Sequence, residues 1–266
     1  MVKVSIIDKT GKKTSDYDFK LSTDIREDIF KKAVFSENSL FRQEYGANAM
    51  AGKNHAIHLS KRRRKLRTTY GRGGSRTPKK VMWGRGTQFR FVGAFAPNTV
   101  GGRKAHPPKP QKNILKGINN KEWFNALKIG FVASFNNELI TKNGQKVPKS
   151  YPFILDSSVE EISKTADFKS FLNAVGFEDE VERTSIRKVR AGKGTMRNRT
   201  YKQKRGPLVV VSSNESPLLK SVRNIKGFEV VTPDFLMVSD FGMSEKPGRA
   251  VIFTKDAISE FMEVFE

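Results

Sequence analysis

A long stretch of this chain contains no carboxylate and little that would form a helix or a strand. Residues 45–121 include 19 Lys or Arg and no Asp or Glu, and they hold 11 of the 21 glycines and 5 of the 11 prolines. Glycine and proline interrupt both kinds of regular structure, and structureless segments of this length are uncommon inside a compact domain. We therefore expect an extended basic loop over residues 51–112 that lies outside the hydrophobic core.

A second acid-free stretch, residues 183–214, contains ten more basic residues. The two stretches together hold 29 of the 50 Lys and Arg, which leaves 21 basic residues against all 27 acidic ones in the rest of the chain. A basic surface that faces only solvent usually includes acidic residues among its Lys and Arg. A surface that binds a polyanion needs none, because the partner supplies the negative charge. The pattern favours nucleic acid as the partner, with a second RNA-binding segment at residues 183–206. A solvated tight turn around Gly192 is the alternative.

Outside the two predicted basic loops, residues 51–112 and 183–206, short apolar strands alternate with helices. We expect strands at residues 2–7, 151–155, 207–212, 228–232 and 251–254. We expect helices at residues 24–35, 39–51, 119–140, 158–163, 167–174, 217–223 and 256–265, with a helical turn at 178–183. Such a pattern is typical of parallel sheets covered on both faces. The predicted fold class is α/β: one globular domain spanning residues 1–266, with a mainly parallel sheet flanked by helices, interrupted by the long basic loop rich in glycine and aromatic residues and by the second basic loop.

Residues that would support catalysis or metal binding are scarce. The chain has no cysteine, and its three histidines, His55, His58 and His106, lack nearby partners that would complete a metal set or a triad. The glycines near Gly71 and Gly192 match neither a phosphate-binding loop nor a dinucleotide fingerprint. An α/β enzyme acting on nucleic acid would need a carboxylate cluster, such a loop, or a nucleophile with its base. We therefore predict that the chain is not an enzyme and binds no cofactor or metal ion.

The sequence also bears on location. The N-terminal residues lack a signal-peptide pattern, and apolar windows such as residues 207–211 fall far short of the roughly 20 residues that span a bilayer. The absence of cysteine fits a reducing compartment. We expect a cytoplasmic protein that is not inserted in a membrane, although an anionic lipid surface is formally another polyanion.

Arginine is interleaved with aromatic residues and glycine between Lys61 and His106, as in KRRRKLR, TTYGRGGSRTPKK and MWGRGTQFRFVGAF. Guanidinium groups bind phosphates and stack on bases, aromatic rings offer stacking faces, and glycine lets the backbone approach a sugar-phosphate surface. Three alternatives stay open. Trp83, Phe89, Phe91 and Phe95 could form a small satellite core, KRRRK could be a nuclear-localisation patch, and a chromosomal protein could use the same charge on duplex DNA.

Four segments carry a family resemblance. They are GRGGSRTP from Gly71, FAPNTVGGRKAHPPKP from Phe95, IRKVRAGKGTMRNRTYKQKRGPLVVV from Ile186 and PGRAVIFTKDAISEF from Pro247. Together they resemble the family of large-subunit ribosomal protein number four in the form shared by archaea and eukaryotes, over essentially the whole chain. An archaeal source is favoured because the sequence ends at Glu266 without the long basic extension expected of eukaryotic members.

The resemblance implies a structural role in the ribosome. It implies an α/β domain on the outer surface of the large subunit and a long loop that threads through large-subunit rRNA, supports assembly and helps line the nascent-peptide exit tunnel. The implied partners are large-subunit rRNA, neighbouring ribosomal proteins including L-twenty-two at the tunnel, and the nascent peptide, with no homo-oligomer. The alternative function is an RNA-binding regulator of the translation or transcription of its own operon.

Matched residue by residue, the resemblance also implies two sets of site residues. The implied loop tip is Tyr70, Gly71, Arg72, Gly73, Gly74, Ser75 and Arg76. The residues implied to bind rRNA are Arg62, Arg63, Arg64, Arg67, Arg72, Arg76, Lys79, Lys80, Arg85, Arg90, Arg103, His106, Arg187, Arg190, Lys193, Arg197, Arg199 and Lys202. Because the long loop can bury few apolar groups, we expect it to become ordered only when bound.

Overall fold

The computed structural model describes residues 2–19, 23–59, 62–64 and 77–263. Its strands are β1 (Val2–Ile7), β2 (Lys13–Phe19), β3 (Ile57–His58), β4 (Lys79–Arg85), β5 (Gln88–Gly93), β6 (Phe153–Leu155), β7 (Arg187–Val189), β8 (Tyr201–Gln203), β9 (Leu208–Val210), β10 (Glu229–Val231), β11 (Gly242–Met243), β12 (Lys246–Pro247) and β13 (Val251–Phe253). Its α-helices are α1 (Glu27–Leu40), α2 (Asn120–Ser134), α3 (Asn137–Lys142), α4 (Thr165–Val175), α5 (Glu178–Ser185), α6 (Leu218–Arg223) and α7 (Lys255–Glu263). The predicted α/β class is confirmed.

The chain divides into two compact units. The first unit is formed by Met1–Phe41 together with Leu115–Glu266, and the second unit by Arg42–Ile114. In the first unit, β1 pairs in parallel with β6 and antiparallel with β2, and β9 pairs in parallel with both β10 and β13. A parallel bridge between Leu155 and Thr254 links the ends of β6 and β13. The two three-stranded sheets of this unit therefore meet along β6 and β13.

Alternate residues of these strands face two separate hydrophobic clusters. Leu208 and Val210 belong to the cluster that contains Phe30 of α1 and Phe131 of α2. Val209 belongs to the cluster that contains residues of α4 and α6. Successive side chains of a strand point to opposite faces, so the strands form a central layer with helices on both sides. This double coverage explains why β6, β9 and β13 are buried along their whole length.

The predicted strands at 2–7, 151–155, 207–212, 228–232 and 251–254 are confirmed as β1, β6, β9, β10 and β13. Strand β2 was not predicted, because its sequence KTSDYDF is polar and mostly exposed. The predicted helix at 39–51 is wrong, since α1 ends at Leu40 and no helix covers residues 42–51. A Cβ atom on Gly46 would lie 2.4 Å from Cδ of Pro110, so the chain must pass closely there.

The predicted helix at 119–140 is broken in two. Helix α2 ends at Ser134, and the Asn136 side chain caps α3 by accepting hydrogen bonds from the amides of Glu138 (3.0 Å) and Leu139 (3.4 Å). Asn119 occupies the predicted N-cap position of α2, but its side chain makes no capping hydrogen bond. An asparagine inside an apparent helix thus begins a new one, as its capping preference allows.

Candidate nucleic-acid interface

The second basic segment is a two-stranded antiparallel ribbon formed by β7 and β8, hereafter the basic ribbon. Lys188 pairs with Lys202 in its ladder, and Val189 pairs with Tyr201. All six residues of the two strands are exposed. Opposed residues of an antiparallel pair project from one face, and neighbours along a strand project from opposite faces. One face therefore presents two lysines, and the other presents Val189 and Tyr201.

The face with Tyr201 carries a cation–π pair. The guanidinium carbon of Arg187 lies 4.0 Å from the centroid of the Tyr201 ring. Tyr201 nevertheless keeps 48% of its surface exposed. Planar guanidinium and phenol groups are the surfaces on which unpaired bases stack. This face therefore suits an unstacked base. The contact with the Tyr201 ring positions Arg187 in the free protein.

The turn of the ribbon is held by contacts within it. Residues Gly192–Arg197 form a short 3-10 helix. The Arg190 guanidinium donates hydrogen bonds to the carbonyl oxygens of Arg199 (3.1 Å) and Tyr201 (3.4 Å), and the Thr195 hydroxyl donates to the Arg190 carbonyl at 2.6 Å. A Cβ atom on Gly194 would lie 2.7 Å from Cδ of Arg190. Arg190 thus closes the turn instead of projecting freely.

The remaining predicted cations of the ribbon project into solvent. Lys193, Arg197, Arg199 and Lys202 are exposed. None of the four forms an ion pair with any residue that the structure describes, and the ion pairs of this acid-free stretch belong to Arg183 and Arg205 at the ends of the ribbon. Four cations without carboxylates on one small element are an arrangement that suits phosphate groups.

The second unit carries a three-stranded antiparallel sheet in the order β3, β4, β5. Strands β4 and β5 form a hairpin whose turn between Arg85 and Gln88 has Gly86 at a φ of 56°. Trp83 lies opposite Arg90 and is 52% exposed. The hairpin therefore presents an indole next to an arginine in solvent, which is the pairing of residue types that binds single-stranded RNA.

The other face of this hairpin is covered by two phenylalanines. The rings of Phe89 and Phe91 stack with centroids 5.9 Å apart, and a Cβ atom on Gly84 would lie 2.8 Å from the Phe89 ring. Among the described residues of 42–114, only Ala94 is buried. The alternative of a satellite core around Trp83 and these rings is therefore wrong for this part of the chain.

The predicted arginines and lysines of the long loop are distributed unevenly. Arg62, Arg63, Arg64, Arg85 and Arg90 are exposed, while Lys79 and Lys80 are half-buried in β4. Arg67, Arg72 and Arg76 lie outside the described residues, as does the whole predicted tip of Tyr70, Gly71, Arg72, Gly73, Gly74, Ser75 and Arg76. The structure thus places part of the predicted set on one hairpin.

The outgoing and returning chains of the second unit meet at glycines. Gly52 has a φ of 71°, and a Cβ atom there would lie 2.6 Å from the carbonyl oxygen of Gly102. The Ala47 amide donates to the Pro108 carbonyl at 3.0 Å. A groove of about 960 Å³ runs beside this contact, lined in part by Lys53, Arg103, Lys104 and Lys109. The predicted residue Arg103 is half-buried there, and His106 is exposed.

The described residues show neither a metal centre nor a membrane span. In the part of the chain that the structure covers, no three His, Cys, Asp or Glu side chains are placed to hold a metal ion. Within the same ranges, none of the helices has the length and apolar character that crossing a bilayer requires.

Sequence reasoning missed two residues of this interface. Lys188 faces Lys202, and Tyr201 stacks under Arg187, yet neither Lys188 nor Tyr201 was predicted as a site residue. Their signal was a pair of short segments, RKV and YKQ, on either side of a glycine-containing turn. Residues 190–200 separate the two segments, which is longer than the loops of two to five residues that indicate a hairpin, so the sequence pattern alone did not bring Lys188 and Lys202 together.

The chain resembles known proteins along almost its whole length. The model of the Ribosomal protein L4/L1 family matches residues 18–264. The large ribosomal subunit protein uL4 of Nanoarchaeum equitans is 38% identical over 239 residues, which cover 90% of this chain and 89% of that protein. The protein of the same name from Sulfolobus acidocaldarius is 32% identical over 268 residues, covering 99% and 95%. That of Halobacterium salinarum is 33% identical over 244 residues, covering 89% and 88%. The predicted resemblance is therefore confirmed, and the chain belongs to the Ribosomal protein L4/L1 family.

Proposed function

We propose that this chain is a structural constituent of the large ribosomal subunit that binds large-subunit rRNA and supports its assembly. One observation carries the proposal: the basic ribbon exposes Lys193, Arg197, Arg199 and Lys202 without an ion pair to any described residue. Phosphates of an RNA backbone supply the missing charge, and the counterions they release drive binding. Membership in a family of ribosomal proteins supports this choice of RNA and a function without catalysis.

The second unit supports the same function in a different way. Its described residues contain one buried side chain, Ala94, and so little buried surface cannot offset the entropy of ordering those residues. Trp83, Arg85 and Arg90 remain exposed on the hairpin. We propose that residues 51–112 are an extended rRNA-binding loop whose order depends on RNA contacts.

The first unit is proposed as the anchor of both basic segments. Its two three-stranded sheets share the same helical layers on each face, and the bridge from Leu155 to Thr254 joins them. We propose that they act as one mainly parallel sheet within one α/β domain, seated on the outer surface of the large subunit.

The role in the exit tunnel is a separate proposal that depends on the resemblance. We propose that residues 70–76 help line the tunnel opposite ribosomal protein L-twenty-two and contact the nascent peptide. A stalled nascent chain with a photoreactive residue at successive positions tests this idea. We expect cross-links to residues 70–76 only when the photoreactive residue lies within a limited range of distances from the end at which the nascent chain is attached. Cross-links to other proteins alone at every chain length would contradict the tunnel role.

Cross-linking within purified large subunits tests the RNA-binding function. Ultraviolet light should join rRNA to peptides from residues 77–93 and 185–204, where Trp83 and Tyr201 are exposed. Peptides from helix α4 serve as the internal control, because α4 lies in the acidic remainder of the chain. Cross-links confined to α4, or the absence of this chain from large subunits, would contradict the proposal. The same cross-linking done in whole cells tests the regulatory alternative, which recovery of a messenger in place of rRNA would support.

A further inference from the structure

At the two ends of the basic ribbon, arginines bind the rest of the first unit with donors that are therefore already in use. The Arg183 guanidinium donates from Nε and Nη2 to the two carboxylate oxygens of Glu180, at 2.7 and 2.6 Å. Nη2 also donates to the carbonyl oxygen of Arg205 at 2.7 Å. Arg183, where the chain enters the ribbon, therefore holds the residue at which the chain leaves it.

Glu180 is the fixed point of this contact. Its side chain is completely buried, and it also accepts a hydrogen bond from the Lys146 amide at 2.9 Å. Only 11% of the Arg183 side chain is exposed. A buried carboxylate that loses its cation is costly, so this pair holds Arg183 away from solvent and from any phosphate.

Every N–H donor of the Arg205 guanidinium has an acceptor within the first unit. Its Nε and Nη2 donate to Glu229 at 3.1 and 2.7 Å, and Nη2 also donates to Asp240 at 3.2 Å. Its Nη1 donates to the carbonyl oxygens of Ser239 and Gly242, both at 3.1 Å. All five N–H donors of a guanidinium are thereby used, which leaves none for an RNA phosphate.

Arg249 supports Glu229 and the chain just beyond the ribbon. It is fully buried and donates to Glu229 at 2.7 Å and to the carbonyl oxygens of Gly206 (2.8 Å) and Pro207 (3.3 Å). Burial, together with the charge of Arg205, lowers the pKa of Arg249 to about 10, so it stays charged at neutral pH.

Close backbone packing restrains the ends of the ribbon in addition to these ion pairs. The Gly206 amide donates to the Gly227 carbonyl at 2.8 Å. Cβ atoms on Gly206 and Gly227 would lie 2.9 and 2.7 Å from side-chain atoms of the buried Thr184. The backbone at the root of the ribbon therefore has little room to tilt.

We propose that Arg183 and Arg205 are positioning residues, which fix the angle of the basic ribbon so that Arg197, Arg199, Lys193 and Lys202 meet their phosphates together. The proposal rests on the proposed RNA-binding function and deepens it. Both residues belong to the acid-free stretch in the sequence, yet each has a carboxylate partner outside it. The partner of Arg183 is Glu180, three residues earlier on α5, whereas the partners of Arg205 are the distant Glu229 and Asp240. A ribbon held in place before binding loses less freedom when it binds.

Lysine and glutamine substitutions separate positioning from phosphate contact. Arg183→Lys keeps the charge but loses the forked geometry, so positioning predicts several-fold weaker binding and direct contact predicts nearly normal binding. For Glu180→Gln, the two hypotheses predict changes in rRNA affinity of opposite sign. The substitution weakens binding if Arg183 positions the ribbon, whereas it preserves or tightens binding if Arg183 contacts phosphate, since a competing carboxylate has gone. Arg205→Lys is the second variant, and it leaves the buried Glu180 pair intact.

The measurement is the affinity of each full-length variant for protein-free large-subunit rRNA across a KCl series. We expect weaker binding at every salt concentration with an unchanged salt slope, while Arg197→Ala lowers the slope by about 0.7–0.9. Arg223→Ala, an exposed arginine outside both acid-free stretches, should bind like the unmodified chain. Amide exchange at Arg190, which donates to the Thr200 carbonyl, should quicken in the free Arg183→Lys and Arg205→Lys variants.

Two results would overturn the positioning role. One is normal affinity in Arg183→Lys and Arg205→Lys, and the other is a loss of salt slope in these variants equal to that of Arg197→Ala. A variant that fails to fold is recognised by its circular dichroism, and the other variants then decide. If the unmodified chain does not bind rRNA, the proposed function fails, whereas the amide exchange still reports whether these arginines hold the ribbon.

Discussion

Lys188 and Lys202 lie directly opposite each other on the basic ribbon, and neither forms an ion pair with a described residue. Like charges in opposed positions of a sheet are destabilising. An acidic residue at either position would remove this repulsion, yet the sequence has no acid on either side of each lysine. The arrangement therefore lowers the stability of the free ribbon and becomes favourable when a phosphate lies between the two ammonium groups.

Replacing one of these lysines should separate the stability of the ribbon from its binding. Lys188→Gln removes the repulsion, so the free ribbon should gain roughly 0.2–1 kcal/mol, measured as slower amide exchange in β7 and β8. The same variant should bind large-subunit rRNA more weakly, because one phosphate contact is lost. Faster exchange together with unchanged affinity would contradict this account of the pair.

The exposed arginines of the turn should control the salt dependence of binding. Arg197→Ala combined with Arg199→Ala removes two cations that have no carboxylate partner among the described residues. The slope of log affinity against log salt should fall by roughly one to two units, given a loss of about 0.7–0.9 for each phosphate contact. An unchanged slope in filter-binding measurements would mean that both side chains are merely solvated.

Two glycines of the second unit form a matched pair that tests whether the close approach of the outgoing and returning chains at Gly52 is needed for binding. Gly52 and Gly101 both have positive φ, at 71° and 69°, but a Cβ atom would clash with Gly102 only at Gly52 and would meet nothing within 4 Å at Gly101. Alanine at either position costs about 1–3 kcal/mol of backbone strain, and Gly52→Ala adds the clash. Gly52→Ala should therefore bind rRNA clearly more weakly than Gly101→Ala. Equal affinities would show that the close approach at Gly52 is not needed.

Glu229 and Asp240, which pair with Arg205 beside the ribbon, should make the free energy of unfolding depend on pH. Burial raises the pKa of Glu229, but the charges of Arg249 and Arg205 outweigh it and hold the pKa below its ordinary 4.5. A carboxylate whose pKa is lowered by folding contributes stability at neutral pH, and this contribution is lost as the pH falls through the lowered value. Burial raises the pKa of Asp240 above its ordinary 3.8, which has the opposite effect.

Glu229→Gln isolates the first of these effects. Urea unfolding should find the variant less stable than the unmodified chain at pH 7, with the difference shrinking as the pH falls below about 4.5. Glu245→Gln is the control, because Glu245 forms a single exposed ion pair with Lys31. A difference that stays constant with pH would contradict the assigned role of Glu229.

Local sequence patterns predicted the core of the first unit well. Strands β6, β9 and β13 are short and entirely apolar (FIL, LVV and VIF), as is typical of strands in a sheet covered on both faces. Helix α4 ends where Gly176 adopts a φ of 96°, as the sequence indicates. These elements are determined by residues that are close together in the chain.

Contacts between distant residues explain part of what the sequence patterns missed, whereas the break between α2 and α3 has a local signal in Asn136. Strand β2 is polar and exists because β1 pairs with it. The basic ribbon depends on Arg183 and Arg205, and Arg205 pairs with Glu229 and Asp240, which are 24 and 35 residues away. A reading along the chain counts both arginines as free cations of an acid-free stretch. Only the fold shows that the charge of Arg205 is already neutralised, whereas Glu180, the partner of Arg183, lies three residues away on the same helix.

Fractionation of a native lysate tests the central claim most directly. The chain is followed by mass spectrometry through sucrose gradients at moderate and at high salt. The account predicts that it migrates with large ribosomal subunits and stays with them at high salt, because many phosphate contacts and two basic segments must be released together. Recovery only in light fractions, or with DNA, would contradict the proposal that this chain is a structural constituent of the large subunit.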